Sequence, residues 1–268
     1  FLSASAFNQN IRKWNVSSIT NTDNMLYVFL NATAMTSNYS SLPNQSGSDS
    51  GTLTKAWFNS YFTTKSALQT ARDAWISGNT TDYGDINTWD VSLITDMSYL
   101  FNGASTFNSD ISNWNVSNVT NMNSIFSSAS NFNSDISNWN VSNVTNMFRM
   151  FFGATQFNCG TSTDTLNSWS VSNVTNMSGM FSSASNFNKS LSNWDVSNVT
   201  NMESMFGFAT AYNQDISNWN VSNVTNMKDM FRDTAFNQAI ITQQVTVNGS
   251  TYIAWNVSNV TNLNGTFR

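Results

Sequence analysis

The sequence predicts a repeat-built solenoid, with short parallel strands on one face, short helical or irregular turns on the other, and a helical cap segment near its start. Three observations lead there: a fixed period of 25 residues, a change of apolar spacing inside each period, and insertions that leave the phase undisturbed.

The period is read from self-comparison. DISNWNVSNVTNM recurs at 110–122, 135–147 and 215–227, with close variants at 85–97, 190–202 and 251–263. Tryptophans keep the phase: Trp14, Trp89, Trp114, Trp139, Trp169, Trp194, Trp219 and Trp255. The step of 25 lengthens to 30 between Trp139 and Trp169 and to 36 between Trp219 and Trp255, which marks insertions of 5 and 11 residues. Insertions that restore the phase belong in loops.

Within one unit the apolar positions are Ile111, Trp114, Val116, Val119, Met122, Ile125, Phe126, Ala129 and Phe132. Trp114-x-Val116 has the two-residue spacing of a strand, with Asn115 facing away from the core. Met122-x-x-Ile125-Phe126-x-x-Ala129 has the three-and-four spacing of a helical turn. A single coil cannot bury its own apolar edge. Stacked neighbours about 4.8 Å apart make a continuous core. Eleven of the twelve methionines fall on two repeat positions, such as Met147 with Met150 and Met202 with Met205, the placement of core-facing gap fillers and not of a metal site.

The order Ile-x-x-Trp-x-Val-Ser-x-Val-Thr-x-Met-x-x-Met-Phe-x-x-Ala-x-x-Phe-Asn covers nearly the whole chain and resembles the BspA-like leucine-rich-repeat surface proteins of bacteria, mycoplasmas included, and of unicellular algae. The resemblance implies a leucine-rich-repeat-like solenoid with a surface, often adhesive, role and no catalytic residues. A standard leucine-rich repeat buries an Asn after its strand, where this chain has Val119 and its equivalents.

The expected organisation is a partial solenoid of about one and a half coils over 1–35, a linker or surface loop over 36–51, a helical cap segment over 52–82, and a seven-coil solenoid over 83–268. The linker TSNYSSLPNQSGSDSG holds the only proline, Pro43. Helical spacing runs over 52–62 and again over 66–76, where Ser66 is the expected N-cap and Gly78 the stop. Loop insertions fall near 158–168, a plain loop with Cys159, and near 240–254, where alternation around Asn248-Gly249 predicts a hairpin.

Composition narrows function by exclusion. Only 9% of residues are charged, against about a quarter in ordinary domains, and Asn, Ser and Thr take their place. The net charge of -5 includes no basic block, so no nucleic-acid partner is expected. No apolar run is long enough for a membrane span. Histidine is absent, which removes His-based nucleophile pairs and His-ligated metal. The lone Cys159 forms no internal disulfide and has no base beside it. No enzyme activity and no cofactor are expected.

The candidate surface is a set of rows. Asn115, Asn140 and Asn220 should align on the strand face, pointing outward, and Thr120, Thr145, Thr175, Thr200 and Thr225 form a second row. Asp85, Asp110 and Asp135 fall on successive coils, a row open to calcium but read as solvated turn residues. Asn-x-Ser/Thr sequons are abundant. Because neighbouring ladder positions crowd, sugar is expected first at the non-ladder sites Asn31, Asn38, Asn44, Asn79 and Asn248. Phe1, Ala4 and Phe7 match Phe126, Ala129 and Phe132, and Phe267 is equivalent to Phe1, so the expected partners are copies of the chain or adjacent solenoid modules stacked head to tail. The function expected is an extracellular or cell-surface structural and adhesive protein in a filament or multi-module stalk, with host or matrix glycans and proteins as further partners. The alternative is an ice- or glycan-binding protein using flat Thr and Asn ladders.

Overall fold

The computed structural model describes residues 60–160, 166–247 and 249–268, and the chain divides into two compact units, Phe1–Leu93 and Ile94–Arg268. The partial solenoid expected over 1–35, the linker over 36–51, and Asn31, Asn38, Asn44 and Asn248 lie outside the described residues.

In the first unit, helix α1 spans Lys65–Ile76. Its good helix formers Ala67, Leu68, Ala71 and Ala74 lie at helical spacing, and Leu68 and Ala71 are buried. The N-cap is Thr64, not the expected Ser66. The Thr64 side chain accepts from the Ala67 N–H at 3.2 Å, which satisfies one of the free donors of the first turn. The expected stop holds: Gly78 sits at φ +97 and donates to the Trp75 carbonyl, a left-handed conformation that suits glycine. Of the segment expected as helical over 52–62, residues 60–62 are described, and there Tyr61 makes a parallel bridge with Asp90. Phe62 packs its ring 5.1 Å from Trp89.

In the second unit, parallel bridges join Asp96 to Asn121, and then Asn146, Asn176, Asn201, Asn226 and Asn262 in turn. These residues are equivalent positions of successive repeats, so each repeat lies in register on the next. The bridge position is Asn121 and its equivalents, not Trp114-x-Val116. The reason is local: Trp114 N–H turns back to the Ile111 carbonyl and Val119 N–H to the Val116 carbonyl, so the Trp-Val segment is bracketed by tight turns and makes no extended pairing.

After the bridge the backbone alternates its partners. The N–H groups of Met122, Ser124, Phe126 and Ser128 donate to the carbonyls of Asn146, Phe148, Met150 and Phe152 one coil on. Those of Ile125, Ser127 and Ala129 donate three residues back within the coil. Every second amide therefore joins coils while the others close turns, and the segment reads as turns rather than a helix. Two residues per coil take positive φ to allow this, Ser124 at 53° and Ser128 at 58°, with Arg149 and Gly153, Ser204 and Phe208, and Asp229 and Asp233 in the same places.

The core is built of columns. Phe101, Phe126, Phe151, Phe181, Phe206 and Phe231 stack at 5.5 to 5.8 Å between centroids. A second column runs from Phe107 through Phe132, Phe157 and Phe187 to Tyr212. Trp114 lies parallel to Trp139 at 6.4 Å, and Trp169 to Trp194 at 6.5 Å. The repeat tryptophans from Trp89 to Trp255 and the ten repeat methionines from Met97 to Met230 are buried, which puts these residues inside and off any exposed face. Strands β1 (Gln243–Val247) and β2 (Ser250–Ala254) pair antiparallel, with Val247 opposite Ser250.

Candidate functional site

Four side-chain ladders connect the coils of the second unit. From Trp139 onward the repeat indole Nε1 donates to a backbone carbonyl of the preceding coil: Trp139 to Ile111, Trp169 to Ile136, Trp194 to Leu166, Trp219 to Leu191 and Trp255 to Ile216. Asn143, Asn173, Asn198, Asn223 and Asn259 each donate Nδ2 to a serine carbonyl one coil back at 2.7 to 2.8 Å. These are the Asn of the NVT sequons, so their amides hold the stack together.

The threonine row is exposed, and each residue from Thr120 to Thr225 gives both its N–H and its hydroxyl proton to the preceding threonine carbonyl. What faces solvent is then a row of methyl groups and hydroxyl lone pairs. A fourth ladder runs through Asn133, Asn158, Asn188 and Asn213, whose Oδ1 atoms accept the backbone N–H of the next coil's Asn.

Asn115 and Asn140 are exposed and Asn220 is half-buried. Each accepts at Oδ1 from the serine N–H two residues on, at 3.1 to 3.2 Å, the geometry of an Asx turn. The aspartates do the same work: Asp85 accepts from Asn87, Asp110 from Ser112 and Asp135 from Ser137. Where the acid is absent, Ser190 accepts from Ser192 in its place. Among the described residues no group of three or more Asp, Glu, Cys or His is gathered for a metal. Asn79 is engaged with Asp82 through both ends of its amide.

Cys159 is buried, at φ 53, with Sγ 3.8 Å from an Asp135 carboxylate oxygen. Burial pushes its thiol up to about 11, so at neutral pH it is a protonated, unreactive group.

Two features of the surface were not read from the sequence. The turn side carries most of the non-repeating side chains: Arg149 lies 5.0 Å over both Phe148 and Phe152, Arg232 lies 5.0 Å over Phe208, and Lys228 pairs with Glu203 at 3.7 Å. On the other side, the β1–β2 hairpin and the repeat face enclose a cleft of about 220 Å³, with Asn193, Asp195 and Asn220 opposite Val247, Ser250 and Tyr252. No single-sequence signal places Tyr252 and Asp195 in one cleft, because the placement depends on how an insertion folds back onto the repeat face.

Registered coils, interior aromatic columns and amide ladders define a repeat protein, one whose coils are joined by side chains as well as by backbone. The sequence model of the family described as Mycoplasma protein of unknown function, DUF285, matches residues 1–75, 69–167 and 159–268, and the chain belongs to that family, a repeat family of the surface-protein type. No curated protein and no solved structure matches the chain.

Proposed function

We propose that the chain is a non-enzymatic structural and adhesive repeat protein of the cell surface, a leucine-rich-repeat-like solenoid akin to the BspA-like surface proteins. The observation that carries this reading is the run of coil-to-coil ladders from Thr95 to Thr261. It commits the recurring polar groups to holding a stack and leaves an outer surface of amides and hydroxyls with few charges. Such a surface resists salt and non-specific ionic binding, which suits a protein displayed outside the cell.

Its partners on this reading are further repeats, in copies of the chain or in neighbouring modules, and matrix proteins or glycans. Ice or glycan binding by the threonine row is the weaker alternative, since each hydroxyl proton is already given to the neighbouring coil.

The test is labelling of intact cells that express the chain. A membrane-impermeant amine reagent should reach its lysines before lysis, and electron microscopy of the released material should show filaments or stalks. Labelling only after lysis would overturn the surface reading. Compact monomers on the grid would overturn the filament.

A further inference from the structure

Two departures from the repeat meet at one place. Down the row of Asn115, Asn140 and Asn220 the remaining positions of the second unit are Ser170, Asp195 and Asn256, so Asp195 is the single carboxylate of the row within that unit. The hairpin insertion lies over that position. The Tyr252 hydroxyl donates to the Asn218 carbonyl at 2.6 Å, and Trp255 N–H donates to the Trp219 carbonyl at 3.1 Å, which pins β2 to the repeat face. A second hollow of about 480 Å³ on the Trp169 side shares Asn193 and Asp195 with the cleft.

The hydrogen-bonding capacity left in the cleft is mixed. Asp195 uses Oδ1 to accept from Ser197 N–H, and its second oxygen remains an acceptor. Asn220 uses Oδ1 to accept from both the N–H and the hydroxyl of Ser222, so its amide hydrogens remain to donate. Tyr252 has given its proton away and offers the face of a half-buried ring. Burial and the Asp195 carboxylate both push its phenol up, which keeps it neutral.

An acceptor, a donor and an aromatic wall around a space smaller than the roughly 300 to 1,000 Å³ of drug-sized pockets suit a single small ring bearing adjacent hydroxyls and a C–H face. The second hollow along the same trough suits a ligand made of several such rings. We propose that this cleft binds a neutral oligosaccharide, with one sugar ring against Tyr252 between Asp195 and Asn220 and the chain continuing past Asn193 into the second hollow. A basic peptide side chain would satisfy Asp195 but would leave the Asn220 amide and the rest of the trough's lining, which carries no other charge, without partners. The site is separate from the threonine row and does not depend on where the protein is displayed.

The experiment uses the whole chain and a panel of uncharged mono- to tetrasaccharides of glucose, galactose, mannose and N-acetylglucosamine, read by saturation-transfer NMR, with a lysine tripeptide alongside. At least one saccharide should bind. Asp195→Asn, which installs the residue the row carries elsewhere, should weaken binding by about tenfold or more, as loss of a charge-assisted hydrogen bond does. Ser250→Trp, at an exposed position of the hairpin wall, should abolish it by filling the cleft. Both variants should melt with the parent, and Thr120→Val should bind as the parent does. No saccharide bound, saccharide binding that survives either cleft variant, or binding of the tripeptide alone overturns the proposal.

Discussion

Residues 110–121 of the repeat are nearly the same from coil to coil, whereas residues 123, 124, 127 and 128 are not, and the two stretches differ in the atoms that join the coils. In the first, side chains reach across: indole Nε1, asparagine Nδ2 and threonine Oγ1 each donate to the neighbouring coil. In the second, the recurring crossing donors are backbone amides, which any residue but proline supplies, and the Asn123 Nδ2 bond to the Tyr99 hydroxyl at 3.4 Å is particular to its own coil. The position of Asn123 is accordingly taken by Phe148, Ser178, Glu203 and Lys228 in later coils, and that of Ser124 by Arg149, Gly179, Ser204 and Asp229. The repeat is monotonous where side chains bear the connection and variable where the main chain does. The variable stretch is therefore where copies of one unit acquire individual surface chemistry, such as the Arg149 aromatic sandwich.

The sharpest way to break this comparison is to truncate one residue from each stretch. Trp139→Ala removes a buried indole that is parallel to Trp114, 6.0 Å from Phe126, and bonded to the Ile111 carbonyl. The expected loss is about 3 to 5 kcal/mol. Lys228→Ala, at the Asn123 position of a later coil, removes only half-exposed ion pairs and should cost about 0.5 kcal/mol or less. Urea unfolding followed by circular dichroism measures both, and similar shifts of the two midpoints would refute the division.

A smaller effect tests the amide ladder by itself. Asn143→Ala deletes the donor to the Ser117 carbonyl at 2.7 Å while leaving the aromatic columns intact. Because the site is exposed and water can replace the lost donor, the expected cost is about 1 kcal/mol. The same loss should follow at Asn198, whose bond to Ser172 is equivalent.

The period, the insertions and the inward placement of Trp, Met and Phe were legible in the sequence because each depends on spacing alone. The bridge position was not. Trp114-x-Val116 alternates as a strand does, but alternation reports which side chains face inward and says nothing of where the amides go. The left-handed residues were hidden for a related reason: glycine marks that position in two coils, Gly179 and Gly265, while Ser124, Arg149, Ser204 and Asp229 occupy it elsewhere without any local signal. The N-cap was misplaced by two residues because Thr64 and Ser66 are both competent acceptors, and only the backbone path decides between them. The threonines named are exposed, yet their donors are committed to the stack, whereas Asn115, Asn140 and Asn220 spend their Oδ1 atoms on Asx turns. The cleft beside Asp195 required a fold-back of the hairpin that no period encodes.

The second aromatic column offers a change in the opposite direction. Tyr212 occupies a place held by Phe132, Phe157 and Phe187 in other coils, and its hydroxyl is buried with no hydrogen-bond partner in the protein. Removing an unpaired buried polar group while keeping the ring should stabilise, so Tyr212→Phe is expected to gain about 1 kcal/mol. An unchanged or lowered urea midpoint would mean that the hydroxyl is satisfied by water.

The smallest effect bears on the variable stretch directly. If its residues are free to vary because the main chain carries the connection, the remaining constraint there is conformational, and it falls on the positive-φ positions. Ser204 sits at φ 52, where a side chain costs about 1 to 2 kcal/mol relative to glycine. Glycine gives back about 0.5 to 1 kcal/mol of that through the greater freedom of its unfolded chain. The chain already uses glycine at this position in another coil, as Gly179, so the backbone accepts it. Ser204→Gly should therefore raise stability by a net of about 0.5 kcal/mol, or about 1 to 2 °C in melting temperature for a domain of this size. Ser117→Gly, in the uniform stretch, has no such strain to relieve and loses the hydroxyl bond to Asn115, so it should destabilise. Opposite signs for one substitution at two places in the same repeat are what the division of labour between side chain and main chain requires.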